Sequence, residues 1–162
     1  MKKSMLGLAA GLAILCGAAH AATTTSTFQV TLTITAQCTI VSASTLAFGS
    51  NGVINANIDQ SSTLNVQCTN TTPYNIGLNA GTGVGATVAT RLMTGPASAT
   101  VAYSLYTTAG RTVVWGNTVG TDTVAGTGNG ASQAFTIYGR VPAQTTPAPG
   151  AYTDTVTVTV TY

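Results

Sequence analysis

Charged side chains are scarce in this sequence. Of its 162 residues, five are Lys or Arg and three are Asp, so that only 5% of the chain is charged. Nucleic-acid binding depends on clusters of Lys and Arg that neutralise phosphates, and a charged tail requires a run of like charges. The sequence has neither, and we expect no nucleic-acid partner. The arginines are expected to be isolated surface charges, at Arg91, Arg111 and Arg140.

The residues that most often carry out catalysis or bind metals are nearly missing as well. There is no Glu, the only His is His20, and Asp59, Asp122 and Asp154 lie far apart along the chain. General acid–base catalysis and zinc binding both require several such groups held together. The sequence therefore predicts a protein that is not an enzyme, with no catalytic residue, metal or cofactor. We expect Asp154 to accept hydrogen bonds from backbone N–H groups at the entry to the last strand.

Long apolar runs are missing except near the start of the chain. Lys2 and Lys3 precede an apolar run over residues 5–16, and residues 19–21 read Ala-His-Ala, which fits a signal-peptidase site. The run is too short to cross a bilayer as a helix. We interpret residues 1–21 as a signal peptide, and we expect export through the periplasm to the cell surface without a membrane anchor.

Cysteine is rare too, and one of the three cysteines lies in the interpreted signal peptide. The other two are Cys38 and Cys68. In an exported protein such a pair indicates a disulfide, because a zinc site would need further Cys or His ligands. The bridge would close a loop of about thirty residues and stabilise the fold by about 3 to 4 kcal/mol in the chain-entropy model.

What the sequence does contain is repeated alternation of apolar and polar residues. A period of two is typical of half-buried β-strands, and no segment shows a helical period of useful length. Many short strands separated by Gly-rich and Pro-marked turns predict an all-β, antiparallel sandwich or barrel. The predicted strands cover residues 38–48 with a break at 42–44, 64–68, 73–78, 100–106, 112–115, 131–139 and 152–162, with loops at 55–60 and 118–130.

One further alternating segment, residues 27–36, precedes the first of the two remaining cysteines. Its sequence is TFQVTLTITA, and one side of the extended chain carries Phe28, Val30, Leu32 and Ile34. Such a strand can pair within its own sandwich, or it can be added to the sheet of another copy, as in donor-strand complementation. The alternation alone favours neither arrangement.

Several motifs together resemble the spore coat U domain family. They are the leading strand that ends in Cys38, LAFG at residues 46–49, LNVQC at 64–68, the strand that contains Tyr74, and the ending PGAYTDTVTVTVTY. This family includes the major pilins of archaic chaperone-usher pili. The resemblance extends over essentially the whole chain after the signal peptide.

The resemblance implies an incomplete immunoglobulin-like antiparallel β-sandwich that is completed by a donor strand. In such pilins a periplasmic chaperone fills the open apolar groove, and at the outer-membrane usher the N-terminal segment of the next subunit replaces it. Residues 22–37 then form the donor segment and residues 38–162 the pilin domain. The implied donor side chains are Phe28, Val30, Leu32 and Ile34. The implied acceptor groove is lined in part by the last strand, at Val156, Val158, Val160 and Tyr162.

The function expected from this resemblance is that of a structural pilin. It would polymerise by donor-strand exchange into a cell-surface fibre for adhesion and biofilm formation, with identical or related subunits, a chaperone and an usher as partners. Two alternatives stay open. One is a spore-coat or matrix protein that assembles by strand addition, and the other is a secreted carbohydrate-binding module in which Trp115 and the tyrosines form a platform. Aromatic side chains serve mainly for packing, which favours the structural roles.

Overall fold

The computed structural model describes residues 20–162. The chain divides into two units, Met1–Thr33 and Ile34–Tyr162. The signal peptide expected at residues 1–21 lies, apart from its last two residues, outside the described residues. In the first unit, residues 20–33 form neither helix nor strand. No helix within residues 20–162 has the length and hydrophobicity needed to cross a membrane.

The second unit is all-β apart from a short 3-10 helix at Pro96–Ser98. Its strands pair antiparallel in two sheets, one of order β1-β2-β7-β5-β4 and one of order β6-β3-β8. This confirms the predicted antiparallel sandwich. The strands are β1 (Cys38–Ala43), β2 (Ile58–Cys68), β3 (Pro73–Leu78), β4 (Arg91–Thr94), β5 (Thr100–Tyr106), β6 (Val124–Thr127), β7 (Ser132–Val141) and β8 (Val158–Thr161).

The core lies between the inward faces of the two sheets. Alternate residues of β2, β3 and β5 are buried, as their period of two predicts, and they are Leu64, Val66, Cys68, Tyr74, Ile76, Leu78, Val101, Tyr103 and Leu105. Trp115 is 1% exposed, and its Nε1 donates a hydrogen bond to the carbonyl oxygen of Ile76 at 2.8 Å. Trp115 is thus a core residue and is not part of an exposed sugar-binding platform.

The predicted disulfide is present. Cys38 and Cys68 are bonded and stand directly opposite each other in the register of β1 and β2. β1 is an edge strand whose residues are mostly exposed, so it has few apolar contacts of its own. The bridge therefore fixes the start of this edge strand to β2, an interior strand of the larger sheet.

In the first half of the chain, the predicted strands differ from the observed ones where contacts with distant strands, and not the local alternation of side chains, determine the structure. Residues 45–48 form no strand, because Leu46 and Phe48 pack over Gly139 of β7 and not into a sheet of their own. β2 begins at Ile58, inside the predicted polar loop, because its backbone pairs with β7 from Ile58 to Gln67. A polar outer face does not prevent such pairing.

In the second half, two short strands were missed and two predicted strands are too long. β4 was not predicted, and β6 lies in the predicted loop at residues 118–130, where Gly126 leaves room for the ring of Tyr74. Residues 112–115 form only a single bridge, between Val114 and Tyr106. The last strand is Val158–Thr161. Before it, Thr153 forms a single bridge with Thr94 at the end of β4, and Thr157 bonds to the N–H and to Oδ1 of Asn79, so no continuous ladder extends over residues 152–157.

Replacement of Cys38 and Cys68 together by Ser is expected to lower the free energy of unfolding by about 3 to 4 kcal/mol, since the bridge restricts the unfolded chain. Denaturant unfolding measures the change. As a control, reductant should destabilise the native protein by a similar amount and leave the double variant unaffected. An equal unfolding midpoint for both oxidised proteins would contradict the expectation.

Candidate functional site: an apolar groove

The second unit contains a large open groove with an apolar floor. Its volume is about 1340 Å³, above the roughly 300 to 1,000 Å³ of pockets for small molecules. Both sheets contribute to the floor, through Leu78, Val101, Tyr103, Leu105, Ile137 and Val141. These side chains belong to the core, so the groove reaches the interior of the sandwich along one side.

Two chain segments form the walls of this groove. One is the segment that follows β1, residues 43–54, and the other runs from residue 146 into β8. The first segment was not predicted as a wall. It is held in place by Leu46, which packs over Gly139, and by Phe48, whose ring meets that of Tyr103 edge-on at 6.3 Å between centroids.

Of the four groove residues expected in the last strand, two line the groove and two do not. Val156 and Val158 line the groove and are half-buried. Val160 and Tyr162 are not among its lining residues. Val160 is half-buried further along β8, and Tyr162 is 58% exposed.

The edge of β8 is open to pairing. β8 is the outer strand of the smaller sheet, and among the described residues β3 is its partner in the ladder. Natural edge strands are protected by charges, prolines or bulges. Residues 155–162 read TVTVTVTY, with no charge and no proline. The sequence thus does nothing to prevent another strand from pairing here.

Asp154 fixes the chain at the entry to this edge. Its carboxylate accepts hydrogen bonds from the backbone N–H of Thr82 (2.7 Å), the hydroxyl of Thr82 (2.9 Å), the hydroxyl of Tyr103 (2.7 Å) and the N–H of Thr155 (2.7 Å). The role expected for Asp154 is confirmed for its two backbone donors. A Cβ on Gly81, whose φ is +83°, would collide with the same carboxylate, so glycine is required at that turn.

These contacts change the acidity of both partners. Burial alone raises the pKa of Asp154, but the hydrogen bonds from Thr82, Tyr103 and Thr155 outweigh it, and the net pKa lies below its ordinary value. Burial and the hydrogen bond to Asp154 raise the pKa of Tyr103. At neutral pH the pair is therefore a carboxylate that accepts and a phenol that donates.

The expectation that the arginines are isolated surface charges is wrong. Arg91 is fully buried at 0% exposure, and burial lowers its pKa. Its guanidinium donates to four carbonyl oxygens, those of Asn79 (2.8 Å), Val88 (2.7 Å), Leu78 (2.9 Å) and Trp115 (2.7 Å). No sequence pattern marks this role, because the acceptors are main-chain groups from three distant segments.

The other two arginines pair with Asp59. Arg140 donates two hydrogen bonds to this carboxylate, at 2.7 and 2.8 Å, and Arg111 lies 3.3 Å from it. The hydrogen bond from Arg140 lowers the pKa of Asp59. Within residues 20–162, no three His, Cys, Asp or Glu side chains come together as a metal site would require.

The implied donor side chains are strongly exposed. Phe28 is 89% exposed, Val30 83%, Leu32 85% and Ile34 77%. The described part of the chain before β1 contains no strand. A row of four large exposed apolar side chains has to be explained by something outside the chain's own core.

The lowered pKa of Asp154 predicts a pH-dependent effect for Asp154→Asn. The carboxylate stabilises the fold above its unfolded-state pKa, near the ordinary value of 3.8, and this contribution disappears as the pH falls through the lower folded-state pKa. We therefore expect the variant to be less stable than the native protein at pH 7, with a smaller difference at pH 3. Unfolding free energies at both pH values test this, and the contribution of Asp59 cancels in the comparison. A difference that is independent of pH would contradict it.

The chain is similar to a known protein in sequence and to a solved structure in fold. Protein U of Myxococcus xanthus is 33% identical over 158 residues, which cover 89% of this chain and 88% of that protein. The fold is similar to that of a chain in the crystal structure of a chaperone–tip adhesion subunit pre-assembly complex from archaic chaperone-usher Csu pili of Acinetobacter baumannii. That match has a TM-score of 0.57 at 23% identity and covers 80% of this chain but only 40% of the other.

A family model supplies the classification. The model of the Spore Coat Protein U domain matches residues 24–159, which include the exposed apolar segment, both disulfide cysteines and the first half of β8. The match spans well over half of the chain, and Protein U supports it over nearly its full length. The chain therefore belongs to the Spore Coat Protein U domain family.

Proposed function

We propose that this protein is a pilin subunit that polymerises by donor-strand exchange into a cell-surface fibre. The observation that carries the proposal is the combination, in one chain, of an open apolar groove beside an unpaired strand edge and a separate alternating segment with exposed apolar side chains. The segment of one copy supplies what the groove of the next copy lacks. The fibre serves adhesion and biofilm formation.

A peptide strand fits the groove better than a small molecule does. The groove exceeds the usual size of ligand pockets, its floor is apolar, and one wall leads into a free strand edge. A strand satisfies both features, because its backbone pairs with the edge and its alternate side chains fill the groove. The four side chains of the donor segment span about 20 Å at about 3.3 Å per residue. Each contributes about 1.5 to 3 kcal/mol when buried, before ordering costs are subtracted.

The arrangement produces a fibre because donor and acceptor are different parts of the chain. Such a contact is heterologous, and repeated heterologous contacts that do not close into a ring give open filaments. The described charges also favour association: three Arg and three Asp sum to a net charge of zero after residue 21, and a near-zero net charge weakens repulsion between copies.

The proposed partners follow from the exposed groove. An apolar groove of this size promotes aggregation unless it is covered, so a periplasmic chaperone holds it before assembly and an outer-membrane usher mediates the exchange. The similar fold in a chaperone–subunit complex supports this assignment. In this proposal the groove serves assembly and not catalysis. The chain reaches the cell surface by export through the periplasm.

A second candidate is a coat or matrix protein that assembles by strand addition without a chaperone. The match to the family model described as Spore Coat Protein U domain favours it. The two candidates differ in one requirement. Removal of the periplasmic chaperone from the producing cells abolishes assembly of a pilin and leaves a self-assembling coat protein able to form its polymer.

Leu32→Asp is expected to block polymerisation and to leave the disulfide intact. A charge on the apolar side of the donor strand would be forced into the groove, at a cost of several kcal/mol, which reduces fibre yield by more than about tenfold. Thr31→Asp is the matched control, because residue 31 lies on the opposite side of the strand and should assemble normally. The yield of high-molecular-weight ladder from surface fractions, run unboiled on a denaturing gel, measures both. Normal yield from Leu32→Asp, or equal loss from Thr31→Asp, would count against the proposal.

A further inference from the structure

We propose that Asn79 is a positioning residue that lengthens the acceptor edge beyond β8. This inference rests on the proposed function, since it concerns the edge to which the donor strand is added. β8 begins at Val158, opposite Leu78, and β3 ends at Leu78. Val156 nevertheless lines the groove two residues earlier. Something other than a β3–β8 strand pair must hold residues 156 and 157 in place.

Asn79 supplies the missing pair of hydrogen bonds, one through its main chain and one through its side chain. The N–H of Asn79 donates to the carbonyl oxygen of Thr157 at 3.1 Å, and the N–H of Thr157 donates to Oδ1 of Asn79 at 2.8 Å. In a regular ladder the second bond would go to the main-chain carbonyl of residue 79. That carbonyl accepts from Nε of Arg91 at 2.8 Å, so the side-chain oxygen takes its place.

Leu78 shows independently which way the backbone groups alternate. Its N–H donates to the carbonyl oxygen of Gly116 at 2.8 Å, and its carbonyl oxygen accepts from Arg91 at 2.9 Å. Both groups of Leu78 thus point away from Val158. In an antiparallel pair, bonded and non-bonded positions alternate. Thr157 therefore bonds toward β3, whereas the N–H and C=O of Val156 and Val158 are directed to the open side.

The consequence is a longer site for the donor. With Asn79 in place, Val156 offers an incoming strand a pair of backbone groups as well as an apolar side chain. Without the Asn79 oxygen the ordered edge would begin at Val158. Both ends of the extension are held in place before a donor strand binds. Arg91 holds Asn79 at one end, and Asp154 is held at the other end by Thr82 and Tyr103. Such preorganisation reduces the ordering cost of binding.

The test uses the full chain with Leu32→Asp, which disables its own donor segment, and a synthetic peptide of residues 27–36 as the probe. Asn79→Ala removes the acceptor oxygen and is expected to weaken peptide binding by about tenfold. Asn79→Asp keeps an oxygen at the same position and should restore most of the affinity. Equal affinity for all three chains would overturn the inference.

A second comparison separates positioning from a general loss of stability. Peptides with Phe28→Ala or Ile34→Ala shorten the apolar row at either end. In the chain that keeps Asn79, one of these two peptides should bind more weakly than the unchanged peptide because it loses its contact with Val156. In the Asn79→Ala chain this loss of affinity should disappear. If Asn79→Ala weakens binding of every peptide by the same factor, Asn79 is only structural and the inference fails.

Amide hydrogen exchange needs no variant at residue 79. In the Leu32→Asp chain, the N–H of Thr157 should be protected with and without peptide, whereas the N–H groups of Val156 and Val158 should become protected only when the peptide binds. Protection of Thr157 that appears only with peptide would overturn the inference. If the chain binds no peptide at all, the proposed function is wrong, and so is the inference that rests on it.

Discussion

The structure depends on one constraint, which is that an apolar interior must be covered and a strand edge must be paired. Along one side of the second unit this constraint is not met. There the floor of the groove consists of core residues such as Leu105 and Ile137, and β8 leaves an edge without charge or proline. The exposed side chains of the segment from Phe28 to Ile34 present the complementary problem. The strand addition that we propose would solve both, because each copy would cover its neighbour's interior with its own apolar row.

Two of the few charged residues of the protein hold this open side in shape. Arg91 binds main-chain carbonyls at the end of β3, and Asp154 fixes the start of the last segment through Tyr103 and Thr82. Neither residue is placed to contact another macromolecule through its charge. A groove that stays ordered while empty has less conformational entropy to lose when a strand enters, and the buried polar contacts provide that order where ladder pairing is missing.

The sequence predicted the strands whose apolar and polar side chains alternate. It did not predict the strands that depend on backbone pairing with distant parts of the chain. Periodicity identified β3 and β5 with their buried faces, and the cysteine pair identified the disulfide. The full extent of β2 and the existence of β6 depend on pairing with distant strands, which leaves no local pattern. The wall at residues 43–54 and the role of Arg91 depend on contacts between segments far apart in the chain. Val156 and Val158 were placed at the groove through the family resemblance, and Val160 and Tyr162 lie beyond its lining.

The most direct test of the account mixes two defective copies. Leu32→Asp disables the donor and keeps the groove, and Val156→Asp disables the groove and keeps the donor. Each variant, produced alone with the chaperone and usher, should give monomer on an unboiled gel. Produced together, they should give a dimer and no larger species, because one intact donor meets one intact groove, and boiling should return the monomer. A mixture that stays monomeric, or either variant forming a ladder alone, would contradict the central claim.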